Sequence, residues 1–240
     1  MELPLELILD SLPIILEGAL KTLEITLIAI TLGFVLGLIA GLARLSKKRI
    51  VRLLATCYID FFRGTPLLVQ IFMVYFGLPQ LLGLFQNFMM DTFSIGQIWQ
   101  STHIDPFPAA IISTSLNSGA YIAEIFRAGV QSIERGQMEA ARSLGMTQFQ
   151  SMRFVILPQA FKRIIPPLGN EFIAMLKDTS LLSVIGFEEM ARKGQLIIAQ
   201  TYKPFHIWLT VAFIYLIMTF AISRLVDYME RRLKAGDDRR

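Results

Sequence analysis

Cysteine occurs once in this chain of 240 residues, histidine twice, and no lysine or arginine precedes Lys21. Cys57 alone excludes an internal disulfide and reads as a packing residue. His103 and His206 lie far apart without ligand spacing around them, so no metal site is expected. Glu2, Glu6 and Asp10 stand where a cleavable signal peptide carries positive charge, so none is expected. A Gly-x-x-x-x-Gly-Lys-Ser/Thr phosphate loop is also missing, which argues against a nucleotide site on this chain. Nothing resembles a nucleophile–base–acid constellation, and catalysis is not expected. Low-complexity tracts, Ser/Gly-rich linkers and internal repeats do not occur, so residues 1–240 read as a single domain.

Apolar residues make up 54% of the sequence and charged ones 18%, with a mean hydropathy of +0.54. Ile25 to Ala43 is free of charge, long enough at about 1.5 Å per residue to cross a hydrocarbon core of about 30 Å. Such runs define an integral membrane protein. Alternation with a period of two is missing, so the spans are helices rather than strands of a barrel. The sequence predicts an all-α bundle of about five transmembrane helices, over residues 21–43, 62–78, 107–125, 158–177 and 205–227.

Charge orients this bundle. Arg44, Lys47, Lys48, Arg49 and Arg52 crowd the first link, whereas residues 77–106 contain no Lys or Arg. The third link brings Arg127, Arg135, Arg142, Arg153, Lys162 and Arg163, and the tail adds Arg231, Arg232, Lys234, Arg239 and Arg240. The positive-inside rule puts these links and the C-terminus in the cytoplasm and the N-terminus outside. It also accounts for the net charge of +4 without a nucleic-acid partner. Three stretches resist simple placement. Residues 51–61 read as a segment along the cytoplasmic interface. Residues 81–99 are apolar enough to rest on the outer surface or dip into it. Residues 178–203 fall outside by span counting, despite Arg192, Lys193 and Lys203.

The third link, about residues 134–157, carries the most organised polar pattern. Met138, Ala141 and Leu144 recur at helical spacing. Gly145 then stands where a helix favours a C-terminal glycine. Thr147 and Gln150 have the spacing of a capping box that starts a second helix, and Phe149, Met152 and Val155 give it an apolar stripe. Pro158 leads into the next span. A helix–glycine–helix bend of this kind must pack on its own chain or on a partner.

Glu139-Ala140-Ala141, three residues, Gly145, nine residues, then Val155-Ile156-Leu157-Pro158 resembles the coupling-loop signature of bacterial ABC importer permeases. Val155 stands where that signature usually has Ile. Further matches resemble the polar amino-acid branch of that family: Arg63-Gly64-Thr65-Pro66-Leu67 to Gln70, Asn117 to Tyr121 with Glu124 and Arg127, and Lys177 to Leu181. Together they extend from about Leu16 to Leu233.

The resemblance implies a permease subunit that moves polar or charged amino acids across the bacterial cytoplasmic membrane. Glu139, Ala140, Ala141, Leu144, Gly145 and Pro158 would couple it to an ATPase, with Glu139 supplying a charge to hold the bend. It would bind no cofactor itself; ATP and Mg would sit on two ATP-binding subunits. A second permease, identical or a close sister, and an extracytoplasmic amino-acid-binding protein would complete the assembly in the lipid bilayer.

Polar residues inside the spans are the candidates for the substrate path. Pro166-Pro167-Leu168-Gly169 is expected to break the fourth span and free carbonyls beside Asn170 and Glu171. Glu171 costs at least about 2.5 kcal/mol near the bilayer centre unless compensated. It meets either a substrate ammonium or guanidinium, or a basic residue of a neighbouring helix. Gln70 is a pore-facing candidate, with Leu67, Tyr121, Thr179 and Ser180 along the same path. Arg63 reads as an anchor at the phosphate level, and Glu124–Arg127 as a structural ion pair at the cytoplasmic end. A stand-alone channel or ion-coupled carrier using Glu171 as its ion site is the alternative, and another small metabolite the alternative cargo.

Overall fold

The computed structural model describes residues 5–94, 96–99 and 102–234, and all its regular elements are helices. Helix α1 spans Leu5–Arg44, α2 Arg49–Gly64, α3 Leu67–Phe72 and α4 Leu78–Phe93. Helix α5 covers Pro106–Gln131, α6 Arg135–Ser143, α7 Gln148–Ser151 and α8 Leu157–Asp178. A 3₁₀ segment at Thr179–Ile185 precedes α9 (Met190–Thr201) and α10 (Pro204–Lys234). Wide helical turns at Met73–Gly77 and Met152–Ile156 join α3 to α4 and α7 to α8. Among the described residues, Leu5–Arg44, Leu67–Phe93 and Pro204–Arg232 are long and apolar enough to cross a membrane. The basic tail residues Arg239 and Arg240, and Glu2, lie outside the described residues.

Helix α5 is the centre of the bundle. Ser113, Thr114, Ser115, Asn117 and Ser118 are all buried in it, which is why it falls short of a simple apolar span. Hydroxyls of Ser113 and Thr114 bond back to the carbonyls of Ala109 and Ala110, so burial leaves them satisfied. Helix α1 lies along α5 through Gly33, Gly37 and Gly41. A Cβ added at Gly37 would stand 2.7 Å from Ile122 Cγ2, and one at Gly33 would stand 2.9 Å from Ser118 Cβ. This glycine stripe lets two backbones approach, the small-xxx-small packing that joins helices in lipid. It went unread in the sequence although the four-residue spacing was visible. Gly169 repeats the device, bringing α8 against Val226 of α10.

Several boundaries differ from the sequence reading. Helix α1 begins at Leu5, not at Lys21; its 40 residues make it about 60 Å long. Charged positions end a hydropathy window, but they do not end a helix: Glu17, Lys21 and Glu24 share one exposed face, and Lys21 Nζ bonds Glu24 Oε2 at 2.7 Å. The span expected at 62–78 is instead two pieces. Helix α2 ends at Gly64, Thr65 turns extended (φ −120°, ψ 146°) ahead of Pro66, and a new helix starts at Leu67. The clash between a proline ring and the residue before it enforces that break. Of residues 81–99, those up to Phe93 continue the helix that starts at Leu67, which is long and apolar enough to enter the membrane rather than only rest on it.

The expected break at Pro166-Pro167 does not occur. Both prolines sit inside the continuous helix α8. Their missing N–H groups still free two carbonyls four residues earlier, as expected, but the helix runs on, packed against α5 and α10. Residues 178–203 are likewise no open loop. Leu182, Ile185 and Phe187 pack with Ile25, Leu67, Ile71, Ala109 and Ala110 in one cluster, and Met190 and Ile197 pack with Ile15, Ile207 and Val211 in another.

Candidate functional site

The link between α5 and α8 has a rigid backbone and an open side-chain face. Ile133, Ile156, Ala160 and Ile164 are buried with Phe126, and Met138 and Met152 pack on them. Ala141 is 4% exposed, so α6 rests its small face on this base. The end of α6 is closed by two bonds, from Met146 N to the Ala141 carbonyl at 3.2 Å and from Gly145 N to the Arg142 carbonyl at 3.0 Å. This is a Schellman cap, and it needs the left-handed φ of +83° at Gly145. The next helix opens on the expected capping box. Thr147 Oγ1 accepts from Gln150 N at 3.2 Å, and Gln150 Oε1 accepts from Thr147 N at 2.8 Å.

The bend is therefore held by its own backbone. Glu139 does not hold it: its side chain is exposed, and only its carbonyl is engaged, by Ser143 Oγ at 3.0 Å. Ala140 is exposed beside it, and Pro158 enters the first turn of α8. Leu144, Phe149 and Phe154 are 81%, 70% and 61% exposed. A cavity of about 460 Å³ lies behind the bend, between Val130, Ile133, Glu134, Met138, Met152 and Ile156. A stiff loop showing three large apolar side chains to water is suited to insertion into a partner's groove.

A second cluster ties α1, α2 and α5 together. Glu124 Oε2 receives Arg127 Nε at 2.9 Å and Arg44 Nη1 at 3.1 Å, with Arg63 Nη1 at 3.8 Å. Arg127 Nη2 bonds the other carboxylate oxygen. Arg44 also reaches Asp60 at 3.6 Å, and the Arg63 guanidinium lies over the Tyr121 ring, 5.7 Å from its centre. The expected Glu124–Arg127 pair is present and enlarged: Arg63 joins it, and Arg44 is a member the sequence reading missed. Its only signal was a basic residue at the end of α1.

Gln70 is 1% exposed and faces the helix break rather than an open path. Its Nε2 donates to the Phe62 and Thr65 carbonyls at 2.8 and 3.0 Å and lies 2.9 Å from Thr65 Oγ1, while its Oε1 accepts from Asn117 Nδ2 at 2.9 Å. The carboxamide replaces the ladder bonds that Pro66 removes. Gly64 and Pro66 lie exposed at that break. Leu67 belongs to the core, and Thr179 is fully buried with its hydroxyl on the Leu176 carbonyl at 2.7 Å. Ser180 is half-buried and bonds the Lys177 carbonyl.

Of the path candidates, Asn170 and Tyr121 are exposed and Glu171 is half-buried. Among the described residues no Lys or Arg pairs with Glu171. Its polar neighbour is Ser118 of α5, outside full hydrogen-bond geometry. Asp178 adds like charge from the far end of α8.

A third cluster was not anticipated. Glu189 is fully buried and caps α9, accepting from Ala191 N and Arg192 N at 2.8 Å each. Tyr215 Oη donates to the same carboxylate at 3.1 Å. Nearby, Lys193 Nζ meets Glu188 at 2.8 Å and Glu17 at 3.4 Å. That ammonium holds the Glu188 carboxyl below the usual range for glutamate. An acidic residue just ahead of an amphipathic run was the available signal.

A helical bundle with a stiff, partner-ready loop and enclosed polar spans is the architecture of a membrane transport component. The chain belongs to the family described as binding-protein-dependent transport system inner membrane component, whose model matches residues 33–235. It is 42% identical over 224 residues to the glutamine transport system permease protein GlnP of Escherichia coli K12, covering 93% of this chain and 94% of that protein. It is 37% identical over 237 residues to the arginine transport system permease protein ArtQ of Bacillus subtilis, covering 99% and 100%. A crystal structure of an amino acid ABC transporter with histidines superposes with a TM-score of 0.84 at 40% identity, over 97% of this chain and 100% of that one.

Proposed function

We propose that this chain is the permease subunit of a bacterial ABC importer for polar or charged amino acids, lodged in the cytoplasmic membrane as one domain of five spans. The observation that carries the proposal is the loop at 134–157, capped at both ends of its bend yet exposing Leu144, Phe149 and Phe154. Two ATP-binding subunits would receive that loop on the cytoplasmic side and bind ATP and Mg themselves. Glu139, Ala140, Ala141 and Gly145 form the docking bend, and Pro158 passes its motion to α8. The N-terminus lies outside and the basic links and C-terminus inside, as the positive-inside rule requires.

The relatives include permeases of glutamine and arginine transport systems, and the chemistry of the path suits cargo of that kind. Asn170 and Glu171 on α8, with Tyr121 on α5, supply carboxamide, carboxylate and phenol groups to the path. The unpaired Glu171 carboxylate suits the α-ammonium that every amino acid carries, or a cationic side chain. A second permease, identical or a sister, would close the path, and an extracytoplasmic binding protein would load it.

Purification of the tagged chain in mild detergent, with mass spectrometry of what stays attached, tests the assembly. A stoichiometric ATPase is expected, lost when Glu139 and Gly145 are altered. A chain without an ATPase that transports alone would replace this reading with a carrier that uses Glu171 as its ion site.

A further inference from the structure

The cations of the first link and of α2 are treated in two ways. Arg44 and Arg63 are engaged by Glu124 and Asp60. Lys47, Lys48, Arg49 and Arg52 are all exposed, and among the described residues their side chains have no partner. No acidic residue lies between Glu24 and Asp60 to neutralise them. They cluster at the start of α2, whose N-cap Lys48 makes no side-chain cap, so the first N–H groups of a 16-residue helix add their partial positive charge.

The rest of α2 explains what could meet this charge. Ala55 and Ile59 are its buried face, Ile59 packing against Ala40 of α1 and Ala123 of α5. On the opposite face, Ile50, Leu53, Leu54 and Phe61 are 74%, 59%, 66% and 44% exposed, with Cys57 between them. An acidic protein surface would pair with the cations and leave that apolar stripe in water. A phospholipid satisfies both parts, phosphate against the basic turn and acyl chains along the stripe.

We infer that the α1–α2 corner is a binding site for anionic phospholipid headgroups, with Lys47, Lys48, Arg49 and Arg52 as its phosphate ligands. It rests on the orientation proposed above, which sets this corner at the cytoplasmic leaflet. Lipid occupancy there would brace α2 and, through the Arg63–Glu124–Arg44 cluster, the ends of α1 and α5.

The test uses the detergent-purified importer complex, supplied with equal amounts of phosphatidylglycerol and phosphatidylcholine and read by native mass spectrometry. The wild type should retain phosphatidylglycerol preferentially. Lys47→Gln/Lys48→Gln should lower that preference about 25-fold, at about fivefold per charge. Arg49→Lys/Arg52→Lys, which keeps charge, should retain most of it and guards against misfolding. Equal retention of both lipids by the wild type overturns the inference, as does an unchanged preference in the glutamine variant. So does loss of the ATPase from that variant with lipid preference intact, which would give the corner to a protein partner. Orientation is tested separately by labelling Ser46→Cys in a Cys57→Ser background. Reaction in intact cells would overturn the orientation but not the lipid preference, because a micelle has no sides.

Discussion

Glu124 and Glu171 are both glutamates on helices that the fold encloses, and the chain surrounds them in opposite ways. Glu124 has three guanidiniums on its carboxylate, from Arg127, Arg44 and Arg63, drawn from three helices. Glu171 has none among the described residues, only the Ser118 hydroxyl beside it and Asp178 as a like charge. A carboxylate ringed by its own cations is a joint. One left without a cation is, on the proposed function, the group that meets a cargo bringing its own. Pairing separates the two glutamates more clearly than burial does, since both are only part-exposed.

Removing the joint should produce the largest effect. Glu124→Ala leaves three guanidiniums facing one another at the meeting of α1, α2 and α5. These side chains are 20–39% exposed, so the 3–5 kcal/mol typical of a broken buried pair must be discounted to about 2–3 kcal/mol. A clear drop in the melting temperature of the detergent-solubilised protein is expected. Arg44→Gln combined with Glu124→Gln should be milder than the sum of the single changes, the sign of direct coupling. Additive losses would dissolve the comparison.

Glu171→Gln should do the reverse. Thermal stability is expected to stay within about 0.5 kcal/mol of wild type, because no ion pair is lost. Uptake should weaken at least about tenfold in half-saturation if the carboxylate meets a substrate cation, since charged hydrogen bonds are worth about 1.5–3 kcal/mol. Measuring melting and uptake on the same preparation decides it. Normal uptake with a lower melting point would make Glu171 a second joint.

How far these roles could be read in the sequence follows from the distance between partners. The bend at 134–157 was legible almost residue by residue, because its Schellman cap and capping box join positions within five of each other. The Glu124–Arg127 pair was legible for the same reason. Arg44 and Arg63 reach Glu124 only after α1, α2 and α5 have packed, and nothing in their own neighbourhoods announces it. Gln70 was misread because an amide in an apolar run suggests a pore, whereas Pro66 had created a local need for its hydrogen bonds. Pro166 and Pro167 misled in the other direction: a helix braced by α5 and α10 tolerates two missing donors. The glycine spacing at Gly33, Gly37 and Gly41 was present throughout and needed only to be read as a packing surface.

The loop offers a middle case, held from within like Glu124 yet displayed like Glu171. Gly145→Val forces a β-branched residue to a φ of +83°, which costs about 1–2 kcal/mol or more locally. The bend should reshape while the spans stay folded, giving normal membrane insertion, an unchanged main melting transition and loss of the co-purified ATPase. Retained ATPase and full uptake would remove the bend from coupling.

Thr147→Ala should give the smallest effect and the finest distinction. It deletes one half of the capping box, the hydroxyl that accepts from Gln150 N at 3.2 Å, while leaving the left-handed turn at Gly145 intact. Loss of an N-cap costs about 1 kcal/mol. Because α7 is only four residues long and runs straight into the wide turn at Met152–Ile156, that loss should appear as fraying of Gln148–Ser151 rather than as unfolding. Amide exchange at Gln150 and Ser151 should rise about fivefold, the factor corresponding to 1 kcal/mol, and exchange in α8 should not change. ATPase affinity should then fall by a similar factor, because the partner must reorder the segment on docking. Faster exchange with undiminished affinity would show that coupling depends on the Gly145 turn alone and leaves α7 a mere connector. Unchanged exchange would mean that the buried Ser151 and the packed Met152, rather than the cap, hold the segment in place.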